Sequence, residues 1–186
     1  MPSRDKMIHP DRHEKVSPRP LFGGFASPPY SFRPLERDDL AVLADWLRTP
    51  EVAHWWGDPD EEFALIEEDL DGADMAQWIV SLGNATFAYA QAYEVHAWPQ
   101  AHFAYLPAGS MAVDAFIGEP ALLGGGHGPR FLRTLAQRLI EAGAPLVAID
   151  PDIANERAQR AYRKAGFRGG ETVWTKAGWA VLMIFG

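Results

Sequence analysis

The chain has 186 residues, 47% hydrophobic and 12% aromatic, enough for one domain with a substantial core. Its formal net charge of -8 argues against a nucleic-acid partner and suits a cationic small molecule. The absence of cysteine excludes disulfide frameworks, zinc–cysteine sites and thiol nucleophiles.

Residues 1–29 read as an irregular arm. They hold six of the fifteen prolines and show no apolar period. The arm has no apolar core of the kind a secretory signal needs, and no stretch of the chain is long and apolar enough to span a membrane. The expected compartment is the cytoplasm. Residues 30–186 form the globular domain. Tyr30 to Leu35 alternates as a half-buried strand. Asp38, Leu40, Leu43, Trp46 and Leu47 space a helix that ends before Pro50. Asp60 to Leu70 is a second, acidic helix, whose charge run reads as a solvated face. Met75–Leu82 and Thr86–Val95 suggest a hairpin turning at Gly83-Asn84. A loop over 96–109, rich in aromatic residues and histidine, leads to a strand over Ala112–Ile117.

The second half alternates helix and strand. Pro129–Ala142 is amphipathic, with Phe131, Leu132, Leu135, Leu139 and Ile140 inward and Gly143 placed to cap it. Leu146–Ile149 is a short buried strand. Asn155–Ala165 is a helix closed by Gly166. Strands over Thr172–Thr175 and Trp179–Phe185 complete the domain. The order predicts an α+β (α/β-like) fold on one mixed sheet.

The strongest local signal is Leu123-Gly124-Gly125-Gly126-His127-Gly128-Pro129, between a strand and a helix. Glycines allow positive φ and close approach of a ligand to the backbone. The helix start adds unpaired N–H groups and a positive dipole end. Together they suit a pyrophosphate. The dinucleotide pattern G-x-G-x-x-G fails, because its last position falls on Pro129 or Phe131. No Gly-Lys-Ser/Thr exists for a nucleoside triphosphate loop. A glycine-rich turn without a ligand is the competing reading.

Gly126 and Gly128 fill the two small positions of the acetyl-CoA loop Gln/Arg-x-x-Gly-x-Gly/Ala. The wider stretch Asp114-x-Phe116-Ile117-Gly118-Glu119-Pro120-Ala121-x-Leu123-Gly124-x-Gly126-x-Gly128 resembles GNAT acetyltransferases, and the aminoglycoside 6'-N-acetyltransferases most. Asp150-Pro151, Asn155, Tyr162 and Lys164-Ala165-Gly166-Phe167 extend the likeness. So do Arg33-Pro34-Leu35, Trp46-Leu47 and Trp55-Trp56-Gly57 upstream. It covers about residues 30–185. Leu123 departs from the Gln or Arg usual in the wider superfamily.

The resemblance implies the GNAT fold, a central mixed, mostly antiparallel sheet flanked by helices. It also implies acetyl-CoA as acetyl donor, no metal, and a small-molecule amine as acceptor. The protein is expected as a monomer or homodimer, with no nucleic-acid or membrane partner. Asp114 would grip the acceptor amine and help remove its proton. Its place among Val113, Ala115, Phe116 and Ile117 is costly for a carboxylate without a partner. Tyr162 would lie near the thioester sulfur, or else be a core tyrosine. Phe116, Ile117 and the loop from Leu123 to Pro129 would hold the cofactor, with a backbone N–H of the Phe116–Ile117 strand at the oxyanion. Asn155 is a helix cap or a contact to the CoA arm. Asp150 is a turn former or an acceptor-facing acid. Trp55 and Trp56 edge the acceptor site or form a core corner. His54, His96, His102 and His127 lack metal-ligand spacing. The leading expectation is acetyl transfer to an aminoglycoside-like amine by direct attack in a ternary complex; against it, the loop from Val95 to Leu106 holds no carboxylate, which points to a smaller or less cationic acceptor. A siderophore-type hydroxylysine and a small polyamine are the alternatives. A non-enzymatic acyl-CoA-binding protein is a third reading.

Overall fold

The structure, a computed structural model, describes residues 23–98 and 100–186. Most of the expected arm lies outside them. Its final part does not stay irregular. Phe25–Ser27 forms β1, which pairs with β2 (Tyr30–Pro34) and places Phe25 opposite Phe32. The rings stack with centroids 4.3 Å apart, which ties this segment to the sheet. The sheet therefore includes residues before Tyr30, where Phe25 has a buried aromatic partner that pattern alone does not reveal.

The remaining strands are β3 (Met75–Leu82), β4 (Ala85–Glu94), β5 (Met111–Ile117), β6 (Val147–Ile149), β7 (Arg168–Thr175) and β8 (Gly178–Phe185). They form one eight-stranded sheet in the order β1-β2-β3-β4-β5-β6-β8-β7. All neighbours are antiparallel except β5 and β6. The helices are α1 (Leu40–Leu47), α2 (Pro50–Trp56), α3 (Pro59–Asp69), α4 (His127–Glu141) and α5 (Glu156–Ala165).

Two helices were expected before β3; among the described residues there are three. Pro50 stops α1 but opens α2 at its first turn, where a missing N–H costs little. Trp55-Trp56 therefore ends a helix of its own. The Asp58 carboxylate accepts from Asp60 and Glu61 N–H at 3.0 and 3.1 Å and caps α3. The charge run on α3 is only partly solvated, since Glu62 and Asp69 are buried.

Strand alternation sorts the core onto two faces. Met111, Val113, Val147, Ile149, Val181 and Met183 pack with Phe131, Leu132 and Leu135 of α4, on the face that also carries α5. On the opposite face two separate apolar groups form. Tyr89 and Phe116 meet Leu43, Trp46 and Trp56 of the early helices. Ala112, Ala148 and Leu182 meet Trp98, Phe103 and Leu106 of the long loop. Gln91, Asp114 and Asp150 follow the same alternation onto that second face, between the two apolar groups.

Candidate active site

β5 and β6 pair only at Met111–Val147 and Ala112–Ala148, so the strands part just before Asp114 and Asp150. Met111 N–H bonds Leu146 O on the β6 side, and Gly118 N–H bonds Phe87 O on the β4 side. By alternation the N–H groups of Ala115 and Ile117 point toward the opening, and that of Phe116 points to β4.

A cavity of about 320 Å³ occupies this opening. Of the sequence-predicted residues, Phe116, Ile117, Leu123, Gly124, Gly126, His127, Gly128, Pro129, Asn155, Tyr162, Trp55 and Trp56 line it. Gly125 does not line it. Asp114 and Asp150 do not line it either. They lie beyond it on the sheet face described above.

The loop has the geometry of an anion cradle. Gly124 and Gly126 each take φ of 77°, and Gly126 is the N-cap of α4. A Cβ at either position would meet nothing within 4 Å, so it is conformation and not crowding that demands glycine. Among the described residues no acceptor takes the N–H groups of Gly124, Gly125, Gly126, His127 or Gly128. These donors stand at the start of a fifteen-residue helix. His127 is held from behind, its Nδ1 and the Tyr30 hydroxyl sharing a hydrogen bond of 3.0 Å. Arg157, Arg160 and Lys164 of α5 line the same cavity. A second cavity of about 560 Å³ shares Gly126, Pro129 and Lys164 with it and adds Arg130 and Arg133. This donor set fits a phosphate-bearing ligand. The arginines, which sequence reading missed, lie on two helices that only the fold brings together.

Asp114 is half-buried on β5. It accepts from Gln91 Nε2 at 2.9 Å, and the Gln91 carbonyl accepts from the Tyr89 hydroxyl at 2.8 Å. Gln91 stands opposite Asp114 in register. Asp150, buried at the end of β6, accepts from His102 Nε2 at 3.0 Å. A carboxylate only accepts, so Nε2 carries the proton. Neither Gln91 nor His102 has a sequence signal beyond its strand register or loop membership.

Tyr162 reaches from α5 toward both acids, and among the described residues its hydroxyl has no hydrogen-bond partner. Its pKa is raised well above the usual phenol value, first by burial and then by the negative charges of Asp114 and Asp150. Asn155 is the α5 cap, its Oδ1 accepting from Ala158 N–H at 3.0 Å, and it also lines the cavity. Asp152 accepts from Ala154 N–H at 2.7 Å in the preceding turn. Trp56 is buried edge-on to Phe116 at 4.7 Å, a core corner that also edges the cavity. Trp55 is half-buried at the cavity wall beside the exposed Glu51.

A parted sheet beside a glycine-rich loop at a helix start and a basic groove is the arrangement of an α+β fold suited to a phosphate-bearing ligand. Residues 36–175 match the family described as acetyltransferase (GNAT) domain, and the chain belongs to that family. It is an acetyl-CoA-dependent acetyltransferase. An aminoglycoside N(6')-acetyltransferase type 1 from Klebsiella pneumoniae is 29% identical over 166 residues, 83% of this chain and 81% of the relative. The crystal structure of aminoglycoside acetyltransferase AAC(6')-Ib with coenzyme A and kanamycin is similar at 27% identity and TM-score 0.74, covering 84% of this chain and 94% of that one. A spermidine N-acetyltransferase from Vibrio cholerae with CoA and spermine shares the fold, at 13% identity and TM-score 0.66, covering 86% and 96%. The described residues contain no helix long and apolar enough to cross a membrane.

Proposed function

We propose that the enzyme transfers acetyl from acetyl-CoA to a primary amine of an aminoglycoside-like small molecule, by direct attack within a ternary complex. The observation that carries this reading is the placement of two acids, Asp114 and Asp150, beside the opening that adjoins the anion loop. The likeness to aminoglycoside N(6')-acetyltransferases supports the acceptor class.

In this reading the N–H groups from Gly124 to Gly128 hold the pyrophosphate. Arg130 and Lys164 face the outer phosphate of the ligand. Asp114 binds the acceptor ammonium and takes its proton, so that nitrogen attacks the thioester carbon. The N–H of Ala115 or Ile117 receives the developing oxyanion; such a donor is worth about 3 kcal/mol. The C–S bond breaks as the C–N bond forms. The neutral Tyr162 hydroxyl faces the leaving sulfur and donates a hydrogen bond to it, and the proton lost by the amine balances the one the departing thiolate gains. Without cysteine no acyl-thiol intermediate forms on the protein. Holding the two substrates in line supplies the largest share of the rate.

A second reading has one specific support. The described part of the loop from Val95 to Leu106 carries histidines and aromatic rings and no carboxylate, so fewer ammonium groups are matched there. This favours a smaller amine such as a hydroxylysine or a short polyamine. Steady-state thiol release with kanamycin, hydroxylysine and spermidine separates the two. Selective turnover of kanamycin supports the first, and selective turnover of a small amine replaces it.

A further inference from the structure

His102 stands out within its loop. The side chain is 4% exposed and Asp150 is 6% exposed, so the contact between them is shielded from solvent. A buried carboxylate without a donor is costly, and one with a single fixed donor has a fixed orientation. Asp150 Oδ2 is taken by His102, and Oδ1 has no hydrogen-bond partner among the described residues. Asp114 and Asp150 each stand two residues beyond the last pair, Ala112–Ala148, on the same face of the sheet where the strands part. Each acid is thus pinned from outside the opening, Asp114 by Gln91 and Asp150 by His102. The imidazole itself is backed by Phe103, with ring centroids 4.1 Å apart, on a short 3-10 turn over Ala101–Phe103.

We infer that His102 is a positioning residue for the acceptor: it locks Asp150 so that Oδ1 faces the acceptor ammonium opposite Asp114. The inference rests on the reading of Asp114 and Asp150 as the acceptor-binding acids. It gives the long loop a role in acceptor recognition that its lack of carboxylates conceals. The loop supplies no anion of its own and instead orients one at the end of β6.

The test uses the full chain and kanamycin, or whichever amine the wild type turns over best. In His102→Leu the donor is lost at similar volume. The acceptor KM rises about tenfold or more, while the KM for acetyl-CoA stays within about twofold, because the lost contact acts only through Asp150. His102→Gln places an amide nitrogen near the position of Nε2 and restores most of the acceptor affinity. His102→Leu combined with Asp150→Asn is no worse than Asp150→Asn alone, since the two act as one unit. Calorimetry of the acceptor with CoA-saturated protein reads the same loss without turnover. An unchanged acceptor KM in His102→Leu, equal shifts in both KM values, or full additivity with Asp150→Asn overturns the inference. If His102→Leu does not fold, His102→Gln against His102→Asn carries the test: the shorter amide fails to reach Asp150 and the acceptor KM rises only in Asn, whereas equal KM values overturn the inference. An Asp150→Asn enzyme with unchanged acceptor KM instead overturns the acceptor-site reading itself.

Discussion

Gln91 donates its side-chain amide to Asp114 at 2.9 Å from the directly opposed position on β4. The bond orients the carboxylate without neutralising it, since an amide carries no charge. Asp114→Asn removes the charge and the base and leaves the cofactor loop untouched. We predict a fall of about 100-fold or more in kcat/KM for the amine, with acetyl-CoA affinity nearly unchanged. Thiol-release kinetics and calorimetry measure the two separately.

Gly126 serves the loop through its φ of 77°. A Cβ in Gly126→Val meets no neighbour within 4 Å, so steric blocking is not what disfavours it. Instead the left-handed backbone becomes strained for a β-branched residue and the N–H groups swing away. We predict loss of acetyl-CoA affinity by about tenfold or more in calorimetry, with the far-ultraviolet circular dichroism retained.

Gly118 is required for a different reason. A Cβ there would lie 2.1 Å from Cγ and Cδ2 of Trp46. Trp46 is the α1 residue that docks edge-on to Phe116, so the clash sits where the early helices meet the cavity wall. Gly118→Ala should cost about 1–3 kcal/mol by overpacking, read from urea unfolding.

Tyr162 has a testable pH signature. Its pKa is raised in the folded state, so the folded protein keeps the phenol proton after the unfolded chain has released it near pH 10. Stability on this account is fully present below pH 10 and declines above it. Tyr162→Phe should flatten that alkaline decline in unfolding curves and also lower kcat. An equally steep decline in the variant contradicts the assigned environment.

Arg33 and Asp39 predict the acid limb. Burial raises the Asp39 pKa, but the Arg33 guanidinium, at 2.8 and 2.7 Å, and the Glu36 N–H outweigh it, and the net shift is downward. Stability from this group is present above the ordinary carboxylate pKa and is lost as pH falls through the folded value. Arg33 is 44% exposed, so solvent screening holds the pair to about 1 kcal/mol or less. Asp39→Asn should remove that amount at pH 7 and little at pH 2, by urea unfolding.

Much of the architecture was legible because periodicity and glycines mark it. The anion loop, α4, α5 and the β3–β4 hairpin stand close to their expected positions, since each combines an apolar period with local turn or cap chemistry. β1 was hidden in a proline-rich stretch because only the stacking of Phe25 on Phe32 reveals it. α2 was hidden because Pro50 reads equally as a stop and a start. Glu62 and Asp69 looked solvated because a charge run carries no mark of the helix face it falls on. In the site, Asp114 and Tyr162 came from the family pattern. Gln91, His102 and the α5 arginines did not, because only strand register and helix packing across the sheet bring them to the site.

The most direct test of the central claim is thiol release from acetyl-CoA with kanamycin, tobramycin, hydroxylysine and spermidine, paired with mass measurement of the amine. The account predicts thiol release matched one for one by acetylation of a primary amine, with kanamycin or tobramycin preferred. Bound acetyl-CoA with no amine acetylated above the uncatalysed rate would contradict it.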